Sequence, residues 1–210
     1  MTRKLLIASL LLAACGQSSG ESADAAQRPA RPANAQTALF AGGCFWSAER
    51  DLEAVPGVVE AVSGFAGGRV ADPSYEQVVR GGTGHLEAIR VVYDPARISY
   101  RQLVRRFLRT IDPTDRGGQF CDRGEQYGTA VFALNAGQRR DAEAARAEAN
   151  RALSGRVVTP IRDAARFYPA DAHHQDYARR NPAHYNRYRR GCGKDARIRA
   201  VWGREAAAAH

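Results

Sequence analysis

The chain has 210 residues, enough for one domain plus an appendage. With 44% hydrophobic and 25% charged residues it is not a collagen, a coiled coil or a polytopic membrane protein. The formal charge is +9, almost all of it from arginine, and four cysteines (Cys15, Cys44, Cys121, Cys192) are too few and too scattered to staple a miniature disulfide domain.

Arg3 and Lys4 lead into an apolar run from Leu5 to Ala14. That run is shorter than the roughly 20 apolar residues of a spanning helix and suits a secretory signal. Leu12-Ala13-Ala14-Cys15 resembles a bacterial lipobox, which implies cleavage before Cys15 and lipidation of that cysteine. Gly16 follows instead of aspartate, which favours the outer membrane. Residues 1–14 therefore read as a lipoprotein signal peptide and 15–36 as a lipidated cysteine with a disordered tether. The tether is rich in Ser, Ala, Gly and Pro and has too little apolar surface to offset its ordering entropy. The expected address is the bacterial cell envelope, facing the periplasm.

The fold is expected over 37–203, with 204–210 as a tail. Ala38 to Ala41 reads as a strand running into Gly42-Gly43, and Phe45 to Val55 has helical spacing closed by Pro56-Gly57. Val58–Phe65 predicts a second strand, Ser74–Arg80 a short helix, and Leu86–Tyr93 a third strand. Ser99-Tyr100-Arg101-Gln102 is a capping-box pattern opening a helix through Thr110. Thr129–Leu134 predicts a fourth strand, Asn135 caps an alanine-rich helix over 137–153, and Val157–Arg162 a last strand. This order predicts an α/β (α+β) fold, a ferredoxin-like split β-α-β core with added strands and helices. The stretch 171–203 reads as a long, irregular, aromatic and basic segment.

Cys44 stands where a strand ends and a helix begins. Backbone N–H groups and the helix dipole at such a place favour a thiolate and predict a lowered pKa. Gly42 and Gly43 permit a tight turn and a close ligand. Phe45 and Trp46 directly after it are costly to expose and badly placed for a core, which suggests that they serve a ligand.

Gly43-Cys44-Phe45-Trp46 resembles the signature of the A-type peptide methionine sulfoxide reductases. The resemblance continues through Ser63-Gly64-Phe65-Ala66-Gly67-Gly68, Pro73-Ser74-Tyr75, Gly84-His85-Leu86-Glu87-Ala88, Val92-Tyr93-Asp94-Pro95, Gly118-Gln119-Phe120-Cys121-Asp122-Arg123-Gly124, Gly191-Cys192-Gly193-Lys194-Asp195 and Trp202-Gly203. It implies a thiol-dependent reduction of the S epimer of methionine sulfoxide, free or in oxidised proteins. Cys44 would be the nucleophile and Glu87 a carboxyl kept protonated by an apolar site, donating to the sulfoxide oxygen. Tyr75 and Tyr127 match the tyrosines that hold that oxygen, Phe45 and Trp46 the apolar cup for the S-methyl group, and Asp122 a supporting hydrogen-bonding position. His174-Gln175 matches a family stretch whose role here reads as structural. Phe65 and His173 depart from residues common in the family and touch no assigned role.

Attack leaves a sulfenic acid on Cys44, which a second thiol must resolve. Cys192, flanked by Gly191 and Gly193, matches the usual resolving position, and Cys121 beside Asp122 is its competitor. The expectation is a Cys44–Cys192 disulfide, with Cys121 a buried neighbour. The resemblance further implies a thioredoxin-like reductant, here an exported one, no bound cofactor or metal, and a monomer.

Three other readings compete. A cysteine hydrolase would use His85, His173, His174 or His184 as base, but Cys-Phe-Trp is no hydrolase elbow. A zinc module lacks C-x-x-C and paired-histidine spacing. A nucleic-acid binder would use the basic stretch 176–203, but export argues against nucleic acid and leaves an acidic redox partner or anionic lipid as the better match for that charge.

Overall fold

The computed structural model describes residues 31–204. The signal peptide, Cys15, most of the tether and nearly all of the tail lie outside the described residues.

Strand β1 (Gln36–Gly42) leads into helix α1 (Phe45–Glu53), then β2 (Val58–Ala66), α2 (Tyr75–Arg80), β3 (Leu86–Tyr93) and α3 (Tyr100–Arg109). A loop carries the two-residue strands β4 (Gly118–Gln119) and β5 (Asp122–Arg123) and a 3₁₀ turn at Glu125–Tyr127. Then come β6 (Thr129–Ala133), α4 (Ala136–Ala152), β7 (Ile161–Asp163), β8 (Phe167–Pro169), α5 (Tyr177–Arg180), α6 (Pro182–Gly191) and α7 (Lys194–Trp202). Ser99 and Gln102 form the expected capping box, and Asn135 accepts from Gln138 N–H at the start of α4. These local signals worked because each depends only on residues within one turn.

The structure is an α/β fold on a mixed six-stranded sheet in the order β7-β6-β1-β3-β2-β8. Strand β3 lies antiparallel between β1 and β2, and β6 pairs antiparallel with β1. Alternate residues divide the sheet into two faces. Phe40, Ile89 and Val91 join Leu52 of α1 and Leu103, Val104 and Phe107 of α3 in the main core, while Leu39, Leu86, Ala88 and Phe132 form a smaller cluster. Alanines 142, 145 and 149 form the buried stripe of α4, small enough to let α3 approach closely.

The segment 171–203 is not irregular. It folds into α5, α6 and α7, with Pro182 at the first turn of α6. Its periodicity is weak because each helix uses a few apolar anchors (Ala178, Tyr185, Ile198, Trp202) amid arginines. Packing and ion pairs hold these helices more than an amphipathic stripe does. Strand β8 was also not foreseen; it completes the edge beyond β2, opposite Gly64 to Ala66. A Cβ at Gly64 would lie 2.2 Å from the Tyr168 carbonyl oxygen, so that strand closes only over glycine.

Candidate active site

Cys44 is the N-cap of α1, half-buried at the end of β1. Gly43 before it has φ +77°, and a Cβ there would meet Gln119 at 2.5 Å. Gln119 is itself buried and bonded to both the N–H and the carbonyl of Asp112, so the loop 112–119 is pinned against the cysteine turn. The first N–H groups of α1 divide their work. Phe45 N–H donates to Glu87 Oε2 at 2.8 Å, and Trp46 N–H points at the Cys44 sulfur.

The expectation of a lowered Cys44 pKa is overturned. Burial, followed by the charge of Glu87, pushes the thiol up to about 12, and the helix N–H only moderates this. Glu87 is 2% exposed on β3, directly opposite Phe65 of β2. Burial pushes its carboxyl up to about 8, so it is protonated at neutral pH. Tyr75 from α2 and Tyr127 from the 3₁₀ turn both feel the charges of Glu87 and Cys44, and burial raises both phenols. The structure thus brings Cys44, Glu87, Tyr75 and Tyr127 together from four different elements.

Phe45 does not lie open as a ligand surface. It is 1% exposed and packs against Phe65, Tyr75 and His174, so it is a core residue that floors the site. Trp46 is half-buried and stacks on Tyr177 with ring centroids 3.8 Å apart. His174 accepts from Trp46 Nε1 at 3.2 Å. Gln175 bonds both backbone groups of Ser63 and the Ala170 carbonyl, which stitches the C-terminal segment to β2. The His-Gln pair is therefore structural.

Among the described residues, no histidine is among the groups that act on the Cys44 thiol. His85 Nδ1 accepts from Gly68 N–H and its Nε2 contacts the Val70 carbonyl at 2.7 Å, so both ring nitrogens serve the backbone. The hydrolase reading fails on that geometry.

The cysteine pairing differs from expectation. Cys121 and Cys192 form a disulfide, and among the described residues Cys44 is the free thiol. Cys121 is exposed, not a buried neighbour. The β4–β5 hairpin turns it outward while α6 delivers Cys192 to it, a meeting across 71 residues that no local spacing encodes. Cys44 and Cys192 nevertheless line one narrow cleft with Phe120, Asp122, Tyr188 and Lys194.

Three residues of this site carried no assigned role in the sequence. Tyr188 donates to Asp122 Oδ2 and its hydroxyl also contacts the Cys44 sulfur. Asp51 of α1 pairs with Lys194 Nζ at 2.8 Å and with Arg189 at 2.7 Å. Tyr188 precedes Cys192 by one helical turn, a usable signal once α6 is known to be a helix. Lys194 lay within the family-like stretch Gly191–Asp195, and Asp51 gave no signal.

The chain matches the family model described as "Peptide methionine sulfoxide reductase" over residues 36–206. It belongs to the peptide methionine sulfoxide reductase family. Among curated relatives, peptide methionine sulfoxide reductase MsrA 2 of Rhizobium meliloti is 51% identical over 175 residues, 83% of this chain and 87% of that one. Among solved structures, methionine sulfoxide reductase A of Corynebacterium diphtheriae is 31% identical, with a TM-score of 0.63 over 72% of this chain and 77% of that one. The reduced form of Mxr1 from Saccharomyces cerevisiae is 27% identical, with a TM-score of 0.68 over 74% and 91%. The chain is a methionine sulfoxide reductase of the MsrA kind.

Proposed function

We propose that this reductase acts on the S epimer of methionine sulfoxide, with Cys44 as nucleophile and Glu87 as general acid. The observation that carries the assignment is a free thiol sharing one buried pocket with a carboxyl that is neutral at pH 7. A protonated Glu87 donates to the sulfoxide oxygen, Tyr75 and Tyr127 hold that oxygen, and the Cys44 thiolate attacks the sulfur. The rim of Trp46 over the Phe45 floor receives the S-methyl group. The methionine sulfur is reduced by two electrons and Cys44 is oxidised by two, to S–OH. The β1, β2, β3 and β6 strands around this pocket correspond to a ferredoxin-like core.

The thiols then work in series. Cys192 attacks the Cys44 sulfenic sulfur, releasing water and forming Cys44–Cys192. Cys121 attacks Cys192, frees Cys44 and leaves the Cys121–Cys192 disulfide. An exported thioredoxin-like donor reduces that pair through the exposed Cys121. The shared cleft supports the first exchange, and the outward position of Cys121 supports the second. Thiol mapping by mass spectrometry after one turnover tests the order. Cys121→Ser should accumulate Cys44–Cys192, and Cys192→Ser should hold Cys44 as a sulfenic acid. A Cys192→Ser enzyme that still cycles would transfer the resolving role to Cys121.

The lipobox reading places the enzyme in the envelope with oxidised envelope proteins as substrates. Mass spectrometry of the mature chain tests it: acylation should begin at Cys15, and an unmodified Cys15 would end the reading.

A further inference from the structure

The site contains a contradiction that its assigned residues do not resolve. The attack needs a thiolate, yet burial holds the proton on Cys44. Glu87 cannot take that proton, because its task is to give one to the sulfoxide and it is already protonated at neutral pH. Both nitrogens of His85 serve the backbone, and His174 Nδ1 is taken by Trp46.

We propose that Tyr188 and Asp122 form the proton path out of Cys44: the phenol oxygen takes the thiol proton while passing its own to the Asp122 carboxylate. The inference rests on Cys44 being the nucleophile. Its geometry is direct. Tyr188 has one proton, and it goes to Asp122 Oδ2, so the lone pairs of its oxygen remain for the Cys44 thiol, which lines the same cleft. All three residues line the same closed cleft. Tyr188 is fixed in place by Trp46, whose ring meets it edge-on at 6.2 Å, and by the helix turn that bonds Cys192 N–H to its carbonyl. Burial of Asp122 raises its affinity for a proton, and the Tyr188 hydrogen bond and then Lys194 offset part of that rise.

The protons and electrons balance. One proton passes from Cys44 to Asp122, and one from Glu87 to the sulfoxide oxygen. Attack joins the Cys44 sulfur to the protonated sulfoxide's sulfur; the hydroxyl then passes to the Cys44 sulfur as that S–S bond breaks, and the thioether leaves with the bond's electron pair. Asp122 then releases its proton to solvent, and solvent reprotonates Glu87. The two carboxyls thereby split acid and base work, as differing environments allow.

The test is a single turnover of the full-length, thiol-reduced chain in excess over a methionine sulfoxide peptide, with methionine measured by rapid quench from pH 6 to 10. Cys44 is faced by Glu87 from β3, Asp122 from β5 and Tyr188 from α6, with Tyr75, Tyr127 and Lys194 around them. Titration of the groups other than Tyr188 is common to both proteins, so the readout is the ratio of variant to wild type. Tyr188→Phe should lower the rate by roughly 10²-fold at pH 7. The ratio should recover as pH rises, because hydroxide then removes the thiol proton directly. Adding Asp122→Asn should cost nothing further, since a broken relay cannot be broken twice. An unchanged rate at pH 7, a loss that is constant across pH, or losses that multiply in the double variant would each overturn the relay. Cys44→Ser, run alongside, separates the two ideas. If it stays active, the nucleophile assignment itself is wrong.

Discussion

Glu87 and Asp51 are almost equally hidden, at 2% and 3% exposure, yet they sit in opposite surroundings. Glu87 lies on the sheet side of the Cys44 pocket with a backbone N–H as its hydrogen-bond partner and, among the described residues, no cation acting on it. Asp51 lies in the seam between α1 and the C-terminal helices, between Lys194 and Arg189, and Arg189 also holds Asp195 at 2.6 Å. A lone buried carboxyl keeps its proton and is available as an acid. A buried carboxyl paired with two cations becomes a clamp, here on the two helices that flank Cys192. Function and fixation are thus separated by the charge of the neighbours, not by depth.

The largest effect that sharpens this contrast is on rate. Glu87→Gln should lower single-turnover sulfoxide reduction by on the order of 10²–10⁴-fold, because the amide donates a hydrogen bond but delivers no proton. A near-normal rate at neutral pH would show that the tyrosines suffice.

Asp51→Asn should act on stability instead. Removing one partner of a buried pair strands the other charge, and about 3–5 kcal/mol should be lost in urea unfolding. The rate per folded molecule should fall far less than in Glu87→Gln. If the two variants lose rate alike, the clamp is part of the chemistry and the contrast breaks.

A pH effect of a few kcal/mol comes next. Burial holds Glu87 and Glu49 each up to about 8, against an ordinary 4.5. Between those values the native state binds more protons than the unfolded chain. The stability each group contributes is complete below pH 4.5 and is lost as pH rises toward 8. Relative to wild type, the urea midpoint of Glu49→Gln should therefore improve as pH goes from 5 to 8. A difference that is flat or that widens against the variant would mean Glu49 is ionised in the fold.

The smallest effect belongs to the surface. Glu148 of α4 bridges Arg101 and Arg105 of α3, both largely exposed. Glu148→Gln should cost at most about 1 kcal/mol, and moderate salt should erase the difference. A loss as large as that of Asp51→Asn would show that burial is not what separates these ion pairs.

Much of the site was legible before the fold was known. Two glycines, a cysteine and a helix start placed Cys44, and the motif resemblance picked out Glu87, Tyr75, Tyr127 and Asp122, which the structure does gather around it. The C-terminal helices were not legible, because their arginine-rich sequences lack a clean apolar stripe and their anchors are distant. Gln175 reaches Ser63, Trp202 reaches the Ile111 carbonyl, and Arg197 reaches Asp112. The depth of Phe45 was hidden for the same reason: its burial depends on Phe65 and His174, which lie far along the chain.

The sequence by itself determined the local geometry: the capping box at Ser99, the cap at Asn135, the turn at Gly43, and the chemical identity of each reacting group. Such features depend on backbone sterics and hydrogen bonds within a few residues. Only the tertiary structure decided which thiols meet, that Cys44 keeps its proton rather than losing it, and that Lys194 neutralises Asp51. Proton affinity and disulfide partnership depend on desolvation and on charges a few ångströms away, and those neighbours come from strands and helices far along the chain.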